Sequence, residues 1–359
     1  MNLLPLVIVS SLVSFLLIPV TINLARRFGF VDDPKVSKHP ALLHDKILPR
    51  AGGVAPFIGI VVATLVFLPL EKHLIGMLLG AGVLLLVDTL DDKYNLHPLV
   101  RLGSGFLAAS IVVISGVGIT SIALPFFGEI DLNVIDTPIN FLGEHHFFPL
   151  ADILAVLWIM TLTNFMNWSS GVDGQLPSIV LVAFVFIALL ASQFVSYDPS
   201  QWTIIKVCLI GIGAVLPLLI FNWHPAKILP GDGASTSLAL IIATLAIFSG
   251  SKTATTILIL GVPIMDGLWT IGRRIYNRRS PIWGDREHLH HKLLNLGWSH
   301  QEITLFYGGV TVVLGLIAVY ASKITKFWAI LGTGAFLVTL TVFLGLISNR
   351  KKWKEQDPG

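Results

Sequence analysis

The stretch HLIGMLLGAGVLLLVDTLDD, residues 73–92, decides the fold: an apolar run long enough to cross hydrocarbon closes on three aspartates, Asp88, Asp91 and Asp92. Working outward, similar runs fill the chain. Of its 359 residues 54% are hydrophobic and 13% charged, against about 25% charged in an ordinary soluble domain. With a mean hydropathy of +0.80, a soluble globular protein is excluded. Taking apolar runs of spanning length as helices, eleven transmembrane helices are expected, near 3–25, 52–70, 73–90, 99–118, 150–166, 175–195, 203–221, 234–250, 253–276, 301–322 and 326–348. The first is too long, and too weakly flanked by basic residues, for a cleaved leader. Nothing between the runs is large enough for a separate soluble domain, so 1–359 reads as one all-α polytopic membrane unit. Cys208 is the single cysteine, which rules out an intrachain disulfide.

Basic residues orient the helices. With the amino terminus outside and the carboxyl terminus in the cytoplasm, 19 of the 24 Lys and Arg residues fall on inner segments, as the positive-inside rule requires. The inner loops are then 26–51, 91–98, 164–175, 222–234 and 277–300, and the expected location is the plasma membrane, with these loops in the cytoplasm. The outer connection 119–149, apolar residues broken by Pro125, Gly128, Pro138 and Gly143, reads as extended or hairpin structure. The net charge of +3 gives no reason to expect nucleic acid.

The inner loops hold the chemistry. Asp88 lies one turn before Asp91 and Asp92, so like charges share a helix face at a cost of a few tenths of a kcal/mol per pair; a cation nearby removes that cost. Mg²⁺ suits carboxylate and phosphate oxygens. Asn164 and Asn167 sit a turn apart before Ser169-Ser170-Gly171-Val172-Asp173-Gly174, which breaks the helix. Phe221-Asn222-Trp223-His224-Pro225 leads to Gly231-Asp232-Gly233, where glycines let backbone approach an anion at a helix start. Asp285-Arg286-Glu287-His288-Leu289-His290-His291-Lys292 reads as a short helix with Asp285 as N-cap and Gly297 as stop. It carries anion-binding side chains. Zinc on the histidines is disfavoured, because adjacent helical histidines diverge by about 100° and no cysteine is near. Asp266, inside the ninth run, is either a functional intramembrane acid or a tight internal polar contact.

In order and spacing these segments resemble the polyprenyl-phosphate N-acetylhexosamine-1-phosphate transferases, a family that includes the phospho-N-acetylmuramoyl-pentapeptide transferases. The resemblance runs from His44 to Trp298: His44 through Gly53 (HDKILPRAGG) is similar to the family's H…PRxGG loop, Asp91-Asp92 to its aspartate pair, Asn164 through Gly174 to its NxxNxxDGxDG loop, Phe221 through Asp232 to its FN…PA…GD loop, and Asp285 through His291 to its D-R-x-H-x-H-H end. Ser170 replaces an Asp of that pattern, Asn95 a third acid and Gly105 a Gln. The HLHH form is closer to members that use simple UDP-N-acetylhexosamines.

The resemblance implies transfer of N-acetylhexosamine 1-phosphate, most simply GlcNAc 1-phosphate, from a UDP-sugar to polyprenyl (undecaprenyl) phosphate in the bilayer, with release of UMP. It implies Mg²⁺, with Mn²⁺ as a substitute, on Asn167 and Asp232; catalytic roles for Asp91, Asp92, Asp173 and Asp232; and substrate binding by His44, Lys46, Arg50, Asn164, Asn222, Arg286, His288, His290 and His291. A homodimer is compatible with it. The rival readings are a transporter for a cation or anionic metabolite and a non-catalytic polyprenyl-phosphate binder; a transporter predicts acids at the bilayer midplane, whereas these lie at helix ends.

Overall fold

A computed structural model of the chain describes residues 2–34, 46–124, 126, 128–140, 144–248, 253–278, 280 and 287–356. Thirteen helices are described: α1 (Leu4–Phe28), α2 (Val54–Phe67), α3 (Lys72–Tyr94), α4 (Pro98–Ile114), α5 (Pro149–Trp168), α6 (Gln175–Ser192), α7 (Gln201–Asn222), α8 (Gly231–Phe248), α9 (Thr253–Ile259), α10 (Gly261–Tyr276), α11 (Leu289–Asn295), α12 (His300–Tyr320) and α13 (Lys323–Gln356). Eight of them, α1, α3, α5, α6, α7, α8, α12 and α13, are long and apolar enough to cross a membrane. The architecture is that of a multi-pass membrane protein. The apolar helices α2 and α4 are shorter, with 14 and 17 residues. At 1.5 Å per residue they cover about 21 and 26 Å, less than the ~30 Å hydrocarbon core.

The run 253–276, expected as a single span, is two helices that meet at Leu260. Pro263 has no N–H to give back to the preceding turn, and its ring crowds the carbonyl four residues earlier. The ladder therefore restarts with the Ile264 N–H on the Leu260 carbonyl.

Helix α8 is the axis of the bundle, with 83% of its apolar window buried, and it packs on α3, α5, α6, α2 and α9. Small residues (Gly233, Ala234, Ala239, Ala243, Ala246) let neighbouring backbones come close, the usual means of helix association where lipid removes the hydrophobic drive. Large apolar residues on α1 (Leu4, Ile8, Leu12, Leu16) remain exposed, as a lipid-facing helix requires.

Among the described residues, six short strands form three antiparallel pairs. β1 (Val31–Asp32) pairs with β2 (Leu48–Pro49). Between α4 and α5, β3 (Ser121–Leu124) pairs with β4 (Gly128–Asp131) and β5 (Thr137–Asn140) with β6 (Glu144–Phe147). These two hairpins occupy the segment read as extended structure. Directly after β2, Arg50 bridges Leu229 in parallel, with the Leu229 N–H on the Pro49 carbonyl at 2.8 Å and the Gly52 N–H on the Leu229 carbonyl at 3.0 Å. A Cβ at Gly52 would lie 2.6 Å from that carbonyl oxygen, so only glycine permits the approach. That contact brings Arg50 to the start of α8.

Candidate active site

The polar residues gather at one end of the bundle because of helix direction. There α3, α5 and α7 end, while α4, α8 and α12 begin. This places Asp91, Asp92, Asn167, Arg101, Asp232 and His300 on the same side.

Two guanidiniums organise the acids. Arg50 donates through Nε to Asp92 Oδ1 and through Nη2 to Asp232 Oδ1, each at 2.8 Å. Arg101, in the first turn of α4, places Nε 3.3 Å from Asp91 Oδ2 and Nη2 3.6 Å from Asp232 Oδ2. The Asn167 side chain stands beside Asp232. The cation called for by the clustered aspartates is thus supplied, in part, by arginine. Burial pulls the Arg50 guanidinium down, but Asp92, Asp232 and Asp32 outweigh it and hold its pKa above the ordinary value. It stays charged.

The four acids are engaged differently. Asp92, whose side chain is 1% exposed, accepts the Asp232 N–H at 3.0 Å and so satisfies one of the free donors at the start of α8. Asp88 accepts from the Thr236 hydroxyl at 2.6 Å inside the bundle. Asp91 accepts the Leu96 N–H at 2.6 Å, where the chain turns from α3 to α4. Asp232 is the most accessible of the ion-paired three, at 16%.

Next to this cluster stand the histidines. Helix α11 begins at Leu289 with His288 in the N-cap position, later than the Asp285 start read from sequence. Asp266 explains the shift: its Oδ2 lies 2.8 Å from His288 Nδ1 and its Oδ1 accepts the Leu289 N–H at 3.0 Å. A remote acid on α10 thus caps the helix, and Asp266 makes the internal polar contact. His288 and His290 stack in parallel at 5.8 Å, and His291 lies 4.2 Å from His290. His290 is buried and its Nδ1 has no hydrogen-bond partner among the described residues. Its Nε2 faces Gly171, where an added Cβ would come within 2.3 Å. Burial first, then the neighbouring His291 and His288, push its pKa well below the usual histidine value, so the ring is neutral at pH 7.

Other expected residues are placed apart. Asp173 accepts from the Ala226 N–H at 3.2 Å and contacts His224 and His300; it does not pair with the arginines. Asn222 is fully buried and spends its amide on the Gly174 N–H and the Ile228 carbonyl, at 2.8 and 2.9 Å, tying two site loops together. Asn164 is exposed and donates to the Met160 carbonyl of its own helix at 2.7 Å. Lys46 is exposed. His44, Asp285 and Arg286 lie outside the described residues.

Sequence reading did not single out Arg101, His224 or His300. Arg101 lies nine positions beyond Asp92, in the first turn of the next helix, which was the available signal. The two histidines are 76 positions apart and meet only in space.

A family model described as glycosyl transferase family 4 matches residues 74–250. A Bacillus subtilis protein named "Probable undecaprenyl-phosphate N-acetylglucosaminyl 1-phosphate transferase" is 30% identical over 349 residues, covering 95% of this chain and 90% of that protein. An Escherichia coli K12 undecaprenyl-phosphate alpha-N-acetylglucosaminyl 1-phosphate transferase is 25% identical, covering 92% and 87%. A Bacillus licheniformis phospho-N-acetylmuramoyl-pentapeptide-transferase is 27% identical, covering 88% and 96%. Near full-length likeness at 30% identity, together with the family model over α3 to α8, makes this chain a member of glycosyl transferase family 4.

Proposed function

We propose that the chain transfers N-acetylhexosamine 1-phosphate, GlcNAc 1-phosphate in the first instance, from a UDP-sugar to polyprenyl phosphate. An oxygen of the lipid phosphate attacks the sugar-bearing phosphorus of the donor. The bond from that phosphorus to the bridging oxygen breaks, UMP leaves with the oxygen, and polyprenyl-diphosphate-sugar remains. One diphosphate linkage replaces another, so the task is to hold two anions together and stabilise an in-line transfer.

The observation that carries this reading is the pair of arginines woven through three carboxylates at one end of an apolar bundle. Such an end lies at headgroup depth, where a lipid phosphate sits while its tail stays in hydrocarbon. Arg50 and Arg101 neutralise phosphate oxygens as they approach. Asp91 and Asp232 face the substrates, with Asp91 orienting the lipid phosphate; a phosphate monoester with a second pKa near 6 is already largely ionised at pH 7 and gains little from a general base. Asp92 positions Arg50 and the α8 terminus. Asn222 and Asp173 set the loops that border the nucleotide, and His288, His290, His291 and Arg286 hold the diphosphate. His44, Lys46 and Asn164 are assigned to substrate binding.

The oxygens of Asp232 and Asn167, beside two more carboxylates, suit Mg²⁺, with Mn²⁺ as a substitute. When bound, the ion supplies the largest local positive charge against the diphosphate. By the distribution of Lys and Arg, the site faces the cytoplasm from the plasma membrane. Neither the fold nor the charge calls for nucleic acid, and the chain is free to work as a monomer or a homodimer.

The test is incubation of the purified protein with radiolabelled UDP-N-acetylglucosamine, polyprenyl phosphate and Mg²⁺. Labelled lipid and UMP are expected in equal amounts, and a panel of UDP-sugars then reads the preference. Uptake into proteoliposomes without labelled lipid would instead favour a transporter. Lipid binding without turnover of any donor would favour a non-catalytic relative.

A further inference from the structure

Beyond the arginine cluster, three residues from distant parts of the chain turn ligating atoms toward one point: Asp173 after α5, His224 after α7 and His300 at the start of α12. We propose that they form a second metal site, for a divalent transition ion of the zinc class, separate from the oxygen ligands assigned to Mg²⁺.

The donor set comes first. Both histidines present Nδ1, and both present it to the same oxygen: Asp173 Oδ2 lies 2.7 Å from His224 Nδ1 and 3.6 Å from His300 Nδ1. One ligand atom from each residue, a ring nitrogen from each histidine and a carboxylate oxygen from Asp173, lie within 4.8 Å of one another. Ligands of a tetrahedral zinc, with bonds of about 2.0–2.1 Å, stand roughly 3.3 Å apart, so small side-chain rotations close the shell. Two imidazoles and a carboxylate with room for water match zinc sites with three protein ligands. Imidazole nitrogens favour zinc, cobalt or nickel over Mg²⁺.

The electrostatics point the same way. His300 Nδ1 lies 3.4 Å from the Asp173 N–H and 3.6 Å from its carboxylate, and a cation bound at this point would draw the imidazole nitrogens and the carboxylate oxygen together.

The loops are also fixed before any ion binds. Thr304 Oγ1 donates to the Asp173 carbonyl at 2.6 Å, Gln301 Nε2 to the His224 carbonyl at 3.2 Å, and the Ala226 N–H to Asp173 Oδ2 at 3.2 Å. Bonds of this kind orient ligands in metal centres. Access is open at one side, because the His224 side chain is 41% exposed while Asp173 and His300 are 11% and 16% exposed. An ion here clamps the loop that follows α5 and Asn167 to the start of α12 and stiffens one wall of the site.

The experiment uses the full chain in detergent, purified on a tag without histidine, with excess Mg²⁺ throughout to fill oxygen sites. Zn²⁺ content is read by mass spectrometry and Co²⁺ binding by its visible absorption, neither of which depends on turnover. About one ion per chain is expected, with at least a tenfold loss of affinity in His224→Gln and in His300→Gln, and with binding retained in Asp232→Asn. Wild-type protein that takes up no Co²⁺ or Zn²⁺ overturns the proposal, as does binding that survives both histidine changes or disappears in Asp232→Asn. Should a histidine variant fail to fold, pulsed EPR of Cu²⁺ in the wild type counts the coordinated imidazoles. Two supports the site, and one or none refutes it.

Discussion

Replacing Arg50 with lysine tests the core of the proposed mechanism, because it keeps the charge and removes the shape. The guanidinium spans two acids at once, with Nε on Asp92 and Nη2 on Asp232, each at 2.8 Å. An ammonium is a point charge and cannot make both contacts in that planar geometry. One charge-assisted hydrogen bond, about 1.5–3 kcal/mol, is therefore lost, and at 1.36 kcal/mol per factor of ten UMP release falls roughly 10- to 150-fold. Arg50→Met removes both contacts and leaves Asp92, 1% exposed, buried without its main counter-charge. Its loss is larger, about a thousandfold if each bond contributes near 2 kcal/mol. The assay is release of UMP at saturating UDP-N-acetylglucosamine, with thermal unfolding in the same detergent as a check on folding. Lysine within twofold of wild type, with the fold intact, would refute the claim that the bidentate arrangement matters to transfer.

Three further outcomes can be measured with the same protein. Asp232→Asn and Asp91→Asn should each abolish UMP release while gel filtration and melting remain near wild type; near-normal turnover in both would remove them from the mechanism. Gly171→Ala drives a methyl into His290 Nε2, and overpacking of this kind costs about 1–3 kcal/mol, so both melting temperature and turnover should drop; a silent substitution would show that the loop and α11 do not pack as described. His290 has a folded pKa below its unfolded value of 6.5, so the unfolded chain takes up this proton first as pH falls. Stability is then full above about pH 6.5 and declines below it, and His290→Gln should flatten that acid slope; an unchanged slope would assign the acid sensitivity elsewhere.

Hydropathy exposed most of the architecture because eight helices cross unbroken apolar sequence. It failed where length or backbone chemistry decides. The run 253–276 is apolar throughout, yet Pro263 splits it, and a count of apolar residues does not register a missing N–H. In the run near 52–70, Gly52 and Gly53 belong to the docking contact with Leu229 and Pro230, and the helix closes at Phe67. The positions of the aspartates and Asn167 at helix ends were legible from local spacing, whereas Arg50 was named through the family resemblance. Arg101 was not legible, because its value depends on how α4 packs on α3 and α5. The start of α11 was misread for a related reason: the group that caps it, Asp266, lies 23 positions earlier, whereas sequence signals for caps are read from the neighbouring three or four residues.

The division among the acids follows from what each already satisfies. A buried carboxylate needs its hydrogen bonds made, because an unpaired charge in low dielectric is expensive. Asp88 meets that need with Thr236, and Asp92 with Arg50 and the first turn of α8. Those two are committed to holding the frame. Asp91 and Asp232 share Arg101 at 3.3 and 3.6 Å, long enough that the guanidinium can turn to a phosphate without breaking a tight ion pair. Asp232 is also the more exposed, 16% against 8% for Asp91. Under the proposed function, an incoming diphosphate would take up part of Arg101, while Arg50 stays tied to Asp92 and Asp232. Before any diphosphate arrives, the two guanidiniums are what offsets the like charges of Asp91, Asp92 and Asp232 beside lipid.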